Sequence, residues 1–116
     1  MDIIEKIDAV LSNALTPLGI KSGYGWYDKD INDTHCTFLG LSDNDTDFSD
    51  DEAETNEKYI QVDLWAKQNV EDVKKVIKKA MLNMDNCRYS DGKDLIETDT
   101  GIYHYALRFY ISEVIE

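Results

Sequence analysis

The sequence has few of the residues from which catalytic and metal sites are commonly built. It contains two cysteines, two histidines, one proline and six glycines in 116 residues. Cys36 and Cys87 lie far apart, without Cys-x-x-Cys spacing or histidine partners at zinc-site intervals, which predicts two buried, reduced thiols. His104 has acidic neighbours but no recognisable serine or cysteine nucleophile. The sequence therefore predicts no enzyme, no bound metal and no cofactor.

Positive charge and long apolar runs are also scarce. Twelve basic residues stand against 24 acidic ones, a net charge of −12 that repels phosphate backbones unless the basic groups cluster. The densest cluster, Lys74, Lys75, Lys78 and Lys79, has the spacing of a solvated helix face, so no sequence-specific nucleic-acid binding is predicted. No window approaches the roughly 20 apolar residues of a membrane span. We expect one soluble, intracellular domain spanning residues 1–116.

Two segments have the apolar period of an amphipathic helix. Residues 3–15 place isoleucine, leucine, valine and alanine on one stripe, with Asp2 as the N-cap and Pro17 ending the helix. Residues 70–84 form a second stripe behind the cap Asn69. Glu71 and Lys75 stand four residues apart, which favours an ion pair on its outer face.

The remaining segments alternate with the period of β-strands. Strands are predicted at residues 20–27 and 36–41, joined as a hairpin through a turn at 28–33, and at residues 59–66. Two short strands flank a turn at Asp91-Gly92-Lys93, and the longest strand covers residues 102–114. This order predicts an α+β two-layer sandwich, with a mostly antiparallel sheet of four to five strands and two helices packed on one face.

Residues 43–57 are dense in acidic groups and have Phe48 as their only large apolar side chain. Repulsion between like charges predicts a long mobile loop that joins two strands. As a hypothesis, this loop faces a channel or docks on a partner protein. The candidate residues are Asp43, Asp45, Asp47, Asp50, Asp51, Glu52 and Glu54. The same spacing partly matches an EF-hand calcium loop, although Phe48 occupies the position where the sharp turn needs glycine.

The alternation of residues 59–65 and 102–110 predicts a second sheet face rich in aromatic and charged groups. With both helices on the other face, we expect this face to be uncovered in one subunit and buried between subunits. Trp65 is expected to be exposed in an isolated chain, and Arg108 to form a cross-strand ion pair with Asp63. The candidate subunit-interface residues are Tyr59, Gln61, Asp63, Trp65, His104, Arg108 and Tyr110.

Three stretches together resemble the tail terminator proteins of long-tailed bacteriophages, also called tail-completion or minor tail proteins. They are the opening helix ended by Pro17, the strand Tyr59-Ile-Gln-Val-Asp-Leu-Trp65 running into the helix at residues 70–84, and the segment Glu97-Thr-Asp-Thr-Gly-Ile-Tyr-His-Tyr-Ala-Leu-Arg-Phe109. The last stretch is the most specific, and the resemblance covers nearly the whole chain.

The resemblance implies a structural virion protein of a phage or prophage that works without chemistry. It would form a homo-oligomeric ring, expected to be a hexamer, that caps the tail tube and joins the tail to the head. Its partners would be further copies of itself, the tail tube protein and a head-completion or connector protein. Its location would be the head–tail junction, after assembly in the host cytoplasm.

Two other classes of function remain open from the residues alone. A small protein with a net charge of −12 has the composition of a nucleic-acid mimic that occupies a DNA-binding partner. A calcium-tuned protein-binding module is the other alternative. A mimic should stay a monomer or dimer, whereas a terminator should form a ring, so mass in solution separates these two.

Overall fold

The computed structural model describes residues 2–25, 34–49, 52–67, 71–97 and 102–114. They form a five-stranded, mostly antiparallel sheet with two helices on one face, which confirms the predicted α+β sandwich. The elements are α1 (Ile3–Leu15), β1 (Lys21–Tyr24), β2 (His35–Ser49), β3 (Glu52–Ala66), α2 (Glu71–Leu82), β4 (Cys87–Glu97) and β5 (Ile102–Val114). The strands lie in the order β1-β2-β3-β5-β4.

Helix α1 begins and ends where the sequence predicted. The Asp2 side chain accepts a hydrogen bond from the Glu5 backbone N–H at 2.9 Å, which caps the first turn. After Leu15 the chain tightens into a 3₁₀ turn that contains Pro17. It then reverses at Gly19, whose φ of 72° is a left-handed conformation that favours glycine.

Both helices pack on the same face of the sheet. Helix α1 buries Ile3, Ile7, Leu11 and Leu15, and α2 buries Ile77 and Met81. The predicted cap Asn69 lies outside the described residues. The core between the layers is formed by Ile3, Ile7, Leu11, Leu15, Cys36, Phe38, Ile60, Val62, Leu64, Ile77, Met81, Leu107, Phe109 and Ile111. None of the helices in the described residues is long and apolar enough to cross a membrane.

Strands β1 and β2 run parallel, so the predicted hairpin between them is wrong. Lys21 pairs with His35 and Tyr24 with Phe38, in a register that places the two strands in the same direction. Alternation of side chains identifies a strand but carries no information about its direction. The predicted turn at residues 28–33 lies outside the described residues.

Most of the acidic segment is paired strand, so the predicted loop at 43–57 is wrong for the residues that the structure describes. The β2–β3 ladder runs from His35↔Trp65 to Ser49↔Glu52, with a register shift between Gly40 and Ser42. Backbone hydrogen bonds need no apolar side chains, and the apolar half of the ladder holds the two strands side by side so that the acidic half can pair. An extended ladder also differs from the wrapped backbone of an EF-hand loop. We call residues 43–49 and 52–57 the hairpin arm; Asp50 and Asp51 lie outside the described residues.

The predicted turn at Asp91-Gly92-Lys93 is also wrong, because β4 is one continuous strand with a register shift between Tyr89 and Asp91. Glycine at position 92 is explained by steric crowding and not by a turn. A Cβ atom at this position would collide with the hydroxyl groups of Tyr89 and Tyr105. The glycine therefore allows two tyrosines to approach the backbone of an edge strand.

Candidate assembly surfaces

The predicted interface residues do share one face of the sheet, opposite the helices. In the register of β3 and β5, Tyr59 pairs with Tyr110, Gln61 with Arg108 and Trp65 with His104. Residues directly opposite each other on neighbouring strands point to the same side of a sheet. We call this side, which the helices do not cover, the second face.

One end of the second face is buried within the single chain. Gln61, Asp63, Trp65 and His104 are at most 5% exposed. The Trp65 ring stacks on His104 at 3.7 Å between centroids and on His35 at 6.3 Å, and its Nε1–H donates to Thr37 Oγ1 at 2.9 Å. The expectation that Trp65 is exposed in an isolated chain is therefore wrong. Alternation shows which residues share a face but not whether that face is covered.

Asp63 is the centre of a polar network at this buried end. Its Oδ1 atom accepts hydrogen bonds from Gln61 Nε2 at 2.8 Å and His104 Nε2 at 2.6 Å. The predicted ion pair between Arg108 and Asp63 is wrong, because the residue opposite Asp63 is Ala106. Arg108 instead donates to Gln61 Oε1 at 3.0 Å and pairs with Asp91 at 3.2 Å. The network thus runs from Asp63, at 0% exposure, outward to Asp91.

The other end of the second face is half-buried and remains accessible. The Tyr59 and Tyr110 rings stack at 4.6 Å between centroids, and the Tyr59 hydroxyl donates to Asp91 at 3.2 Å. Arg88 lies 5.5 Å from the centre of the Tyr110 ring and pairs with Glu57 at 2.7 Å. Of the predicted interface residues, only Tyr59, Arg108 and Tyr110 are therefore partly open to contact.

Two residues on this face that are candidates for subunit contact were not predicted from the sequence. Arg88 and Asp91 belong to β4, and their contacts with β5 depend on a register that the predicted turn at residues 91–93 had interrupted. Arg88 and Arg108 are the only arginines of the chain. Arginine and tyrosine are enriched at interface centres, so the scarcity of arginine in the chain and the tyrosine next to Arg88 could have indicated this residue from the sequence.

Lys58 fixes the base of the hairpin arm on the helix side of the sheet. Its amino group donates to Asn56 Oδ1 at 2.6 Å and pairs with Glu113 at 3.3 Å and Asp43 at 3.7 Å, while Asn56 also donates to Asp43. These contacts join β2, β3 and β5. Residues 43–57 themselves contain eight acidic residues and no basic one. The arm is therefore an anchored, strongly negative extension of the sheet.

The sheet has two different edges among the described residues. Strand β1 pairs with β2 only as far as Phe38, apart from one further bond from the Gly25 N–H to the Phe38 carbonyl. Residues 39–49 of β2 therefore have no described strand on their outer side, and Leu41 there is exposed. At the other side of the sheet β4 is the outermost described strand. Unpaired edges are templates for pairing with another chain.

The lysines of α2 divide into two groups. Lys74 pairs with Glu71 at 2.6 Å and lies 3.9 Å from the centre of the Tyr105 ring, and Lys78 lies 4.0 Å from that of Tyr89. Burial alone would lower the pKa of Lys74, but its hydrogen bonds to Glu71 and to a tyrosine hydroxyl outweigh this effect and raise it.

The predicted pair between Glu71 and Lys75 is wrong, because the Glu71 carboxylate is bound by Lys74, one residue nearer. Lys75 and Lys79 are exposed and form no ion pair with any residue that the structure describes. They stand four residues apart, on one face of the helix. We call Lys75 and Lys79 the lysine row.

The two thiols differ in their surroundings. Cys36 is buried in the core, as predicted, whereas Cys87 is only half-buried. Burial raises the pKa of Cys87 to about 11, and it raises that of Cys36 further, with a smaller contribution from the negative charge of Asp63. Within the described ranges, no three histidine, cysteine or acidic side chains are grouped so that they could hold a metal ion.

No protein-family model matches the chain, and no curated protein matches it.

Proposed function

We propose that this chain is the subunit of a homo-oligomeric ring that caps the tail tube of a long-tailed phage or prophage and joins the tail to the head. The resemblance of the opening helix, the strand at residues 59–65 and the segment at residues 97–109 suggests this class. The observation that carries it furthest is the pair of unlike sheet edges, residues 39–49 of β2 on one side and β4 on the other.

Unlike edges favour a ring over a two-fold dimer. When one surface of a subunit binds a different surface of the next, the contact is heterologous, and it closes into a ring if the rotation allows. Pairing between the β2 edge of one copy and the β4 edge of the next would satisfy backbone groups on both strands. The number of copies, six, comes from the resemblance alone.

The negative charge suits a ring through which DNA passes. A wall that carries carboxylates does not hold the phosphate backbone, so DNA can move through the channel. In this proposal the hairpin arm contacts a neighbouring protein of the tail, either a second copy of this chain or the tail tube protein, and becomes more protected on docking. Hydrogen exchange on the free and assembled protein tests this part, and unchanged exchange of the arm after assembly contradicts it.

The buried network on the second face supports a structural role. Asp63 and His104 make the kind of contact that acid–base catalysis uses, but their side chains are 0% and 1% exposed. A substrate has no access to groups buried this deeply. Their hydrogen bonds instead connect β3 with β5 inside the protomer, which rigid ring subunits require.

Tails assembled without this protein provide the decisive test. Loss of a terminator leaves tube growth uncapped, so electron microscopy of such tails should show tubes that are too long or that lack heads. Tails of normal length joined to heads would refute the proposal. Restoring the wild-type chain from a plasmid is the matched control.

The hairpin arm also favours a second candidate, the nucleic-acid mimic. The arm is an anchored strand pair with six acidic residues, most of them at every second position, so negative charge repeats along its length as it does in a phosphate backbone. A mimic acts as a monomer or dimer on a basic partner. Native mass spectrometry distinguishes it from a ring, and capture of a DNA-binding enzyme by a stable monomer would favour the mimic.

A further inference from the structure

The hairpin arm projects beyond the level at which the edge strand β4 begins. Strand β4 begins opposite Ile111, and Ile111 pairs with Lys58. The arm therefore continues for about six residues on each strand past the start of β4, roughly 20 Å at the rise of a β-strand. Among the described residues two basic side chains pair with the arm, both at its base: Lys58 with Asp43 and Arg88 with Glu57.

The lysine row carries the opposite charge and lies near the opposite edge of the sheet. Helix α2 packs beside β4, the edge strand, whereas the arm extends from β2 and β3. Lys75 and Lys79 are exposed, and neither forms an ion pair with a described residue; the carboxylate nearest to Lys75 in sequence, that of Glu71, is bound by Lys74. One chain thus carries an unneutralised negative surface and an unneutralised positive surface on different sides.

We propose that the lysine row of one subunit receives the hairpin arm of the neighbouring subunit. This inference rests on the proposed ring and names the contact that orients its subunits. A strand pair that approaches β4 from outside comes to lie beside α2, so edge pairing and charge pairing act at the same place. Opposite charges brought together increase the association rate, and like charges disfavour the wrong orientation.

Charge reversal tests the contact. The variant K75E/K79E should weaken association of the purified chain by at least about tenfold, because two attractive contacts become repulsive. The variant K21E/K67E makes the same change of charge at two other exposed lysines and should associate like the wild type. Adding D45K/D47K to the K75E/K79E chain should restore association, which a folding defect would not allow.

Zero-length crosslinking locates the contact directly. A carbodiimide joins carboxylates to lysine amines, and a mixture of ¹⁴N- and ¹⁵N-labelled chains identifies the links between subunits by mass. We expect such links between residues 43–57 and Lys75 or Lys79. If the wild type forms a ring whose links lie elsewhere, or whose mass K75E/K79E does not change, this inference is overturned and the proposed function stands. A wild-type chain that never assembles, even on tail tubes, overturns both.

Discussion

Replacement of Asp63 by alanine tests whether the second face is interior or interface. Asp63 is 0% exposed, and its Oδ1 atom is the shared acceptor of Gln61 and His104. The substitution removes that acceptor from two buried donors, each worth about 1–3 kcal/mol. We expect the free energy of unfolding to fall by about 2–6 kcal/mol, the sum for the two donors, which is a large fraction of the stability of such a domain.

Asp91→Ala is the matched control, because it removes a carboxylate from the outer end of the same network. The Asp91 side chain is 47% exposed, and its ion pair with Arg108 should contribute about 1 kcal/mol or less. Urea denaturation followed by circular dichroism measures both variants, at two protein concentrations that separate folding from assembly. Equal losses for the two variants would refute the assignment of Asp63 to the interior. An unchanged fold with lost assembly would restore the interface first predicted for this face.

Three further perturbations test separate parts of the structure. Gly92→Ala should cost about 1–3 kcal/mol, because two tyrosine hydroxyls must move, whereas Gly23→Ala, with open space around its Cβ, should be neutral or slightly stabilising; equal urea midpoints would contradict this contrast. At pH 8 iodoacetamide should label Cys87 roughly a hundredfold more slowly than an exposed thiol and leave Cys36 unlabelled until unfolding. Because the raised pKa of Cys87 favours the protonated folded state, its contribution to stability should be complete below about pH 9 and disappear as the pH rises through about 11; a stability profile that is flat there would argue against it. Lys58→Met should speed hydrogen exchange in the hairpin arm more than in β5, and uniform exchange would remove Lys58 as its anchor.

The elements with strong apolar periods were predictable from the sequence. The bounds of α1 and of β5 match their predicted positions, because a capping aspartate, a proline and an uninterrupted alternation mark them. The core stripe of α2 is also the predicted one, with Ile77 and Met81 at its centre.

The direction and pairing of the strands were harder to predict from the sequence. Alternation could not reveal that β1 runs parallel to β2. The acidic composition of the arm predicted a loop, although its strands continue the ladder of the apolar half. Gly92 had the appearance of a turn residue, although it makes room for Tyr89 and Tyr105.

The candidate interface was predicted correctly as a set of neighbours and wrongly as an exposed surface. Period-two spacing places Trp65 and His104 on one face, and the structure pairs them. Whether that face is covered depends on parts of the chain distant in sequence. The contacts of Trp65 with His35 and Thr37 come from β2, nearly thirty residues away, and no local pattern encodes them.

The position of β5 has a consequence for synthesis. It is the last strand of the described chain, yet it lies inside the sheet, between β3 and β4. While a ribosome is still making residues 102–114, β3 lacks its inner neighbour and β4 has no described strand to join. The sheet therefore cannot form completely until β5 has been synthesised. A chain truncated before residue 102 would leave the backbone hydrogen-bonding groups of β3 and β4 unpaired on the sides that β5 normally covers. We expect such fragments to be substrates for chaperones and proteases.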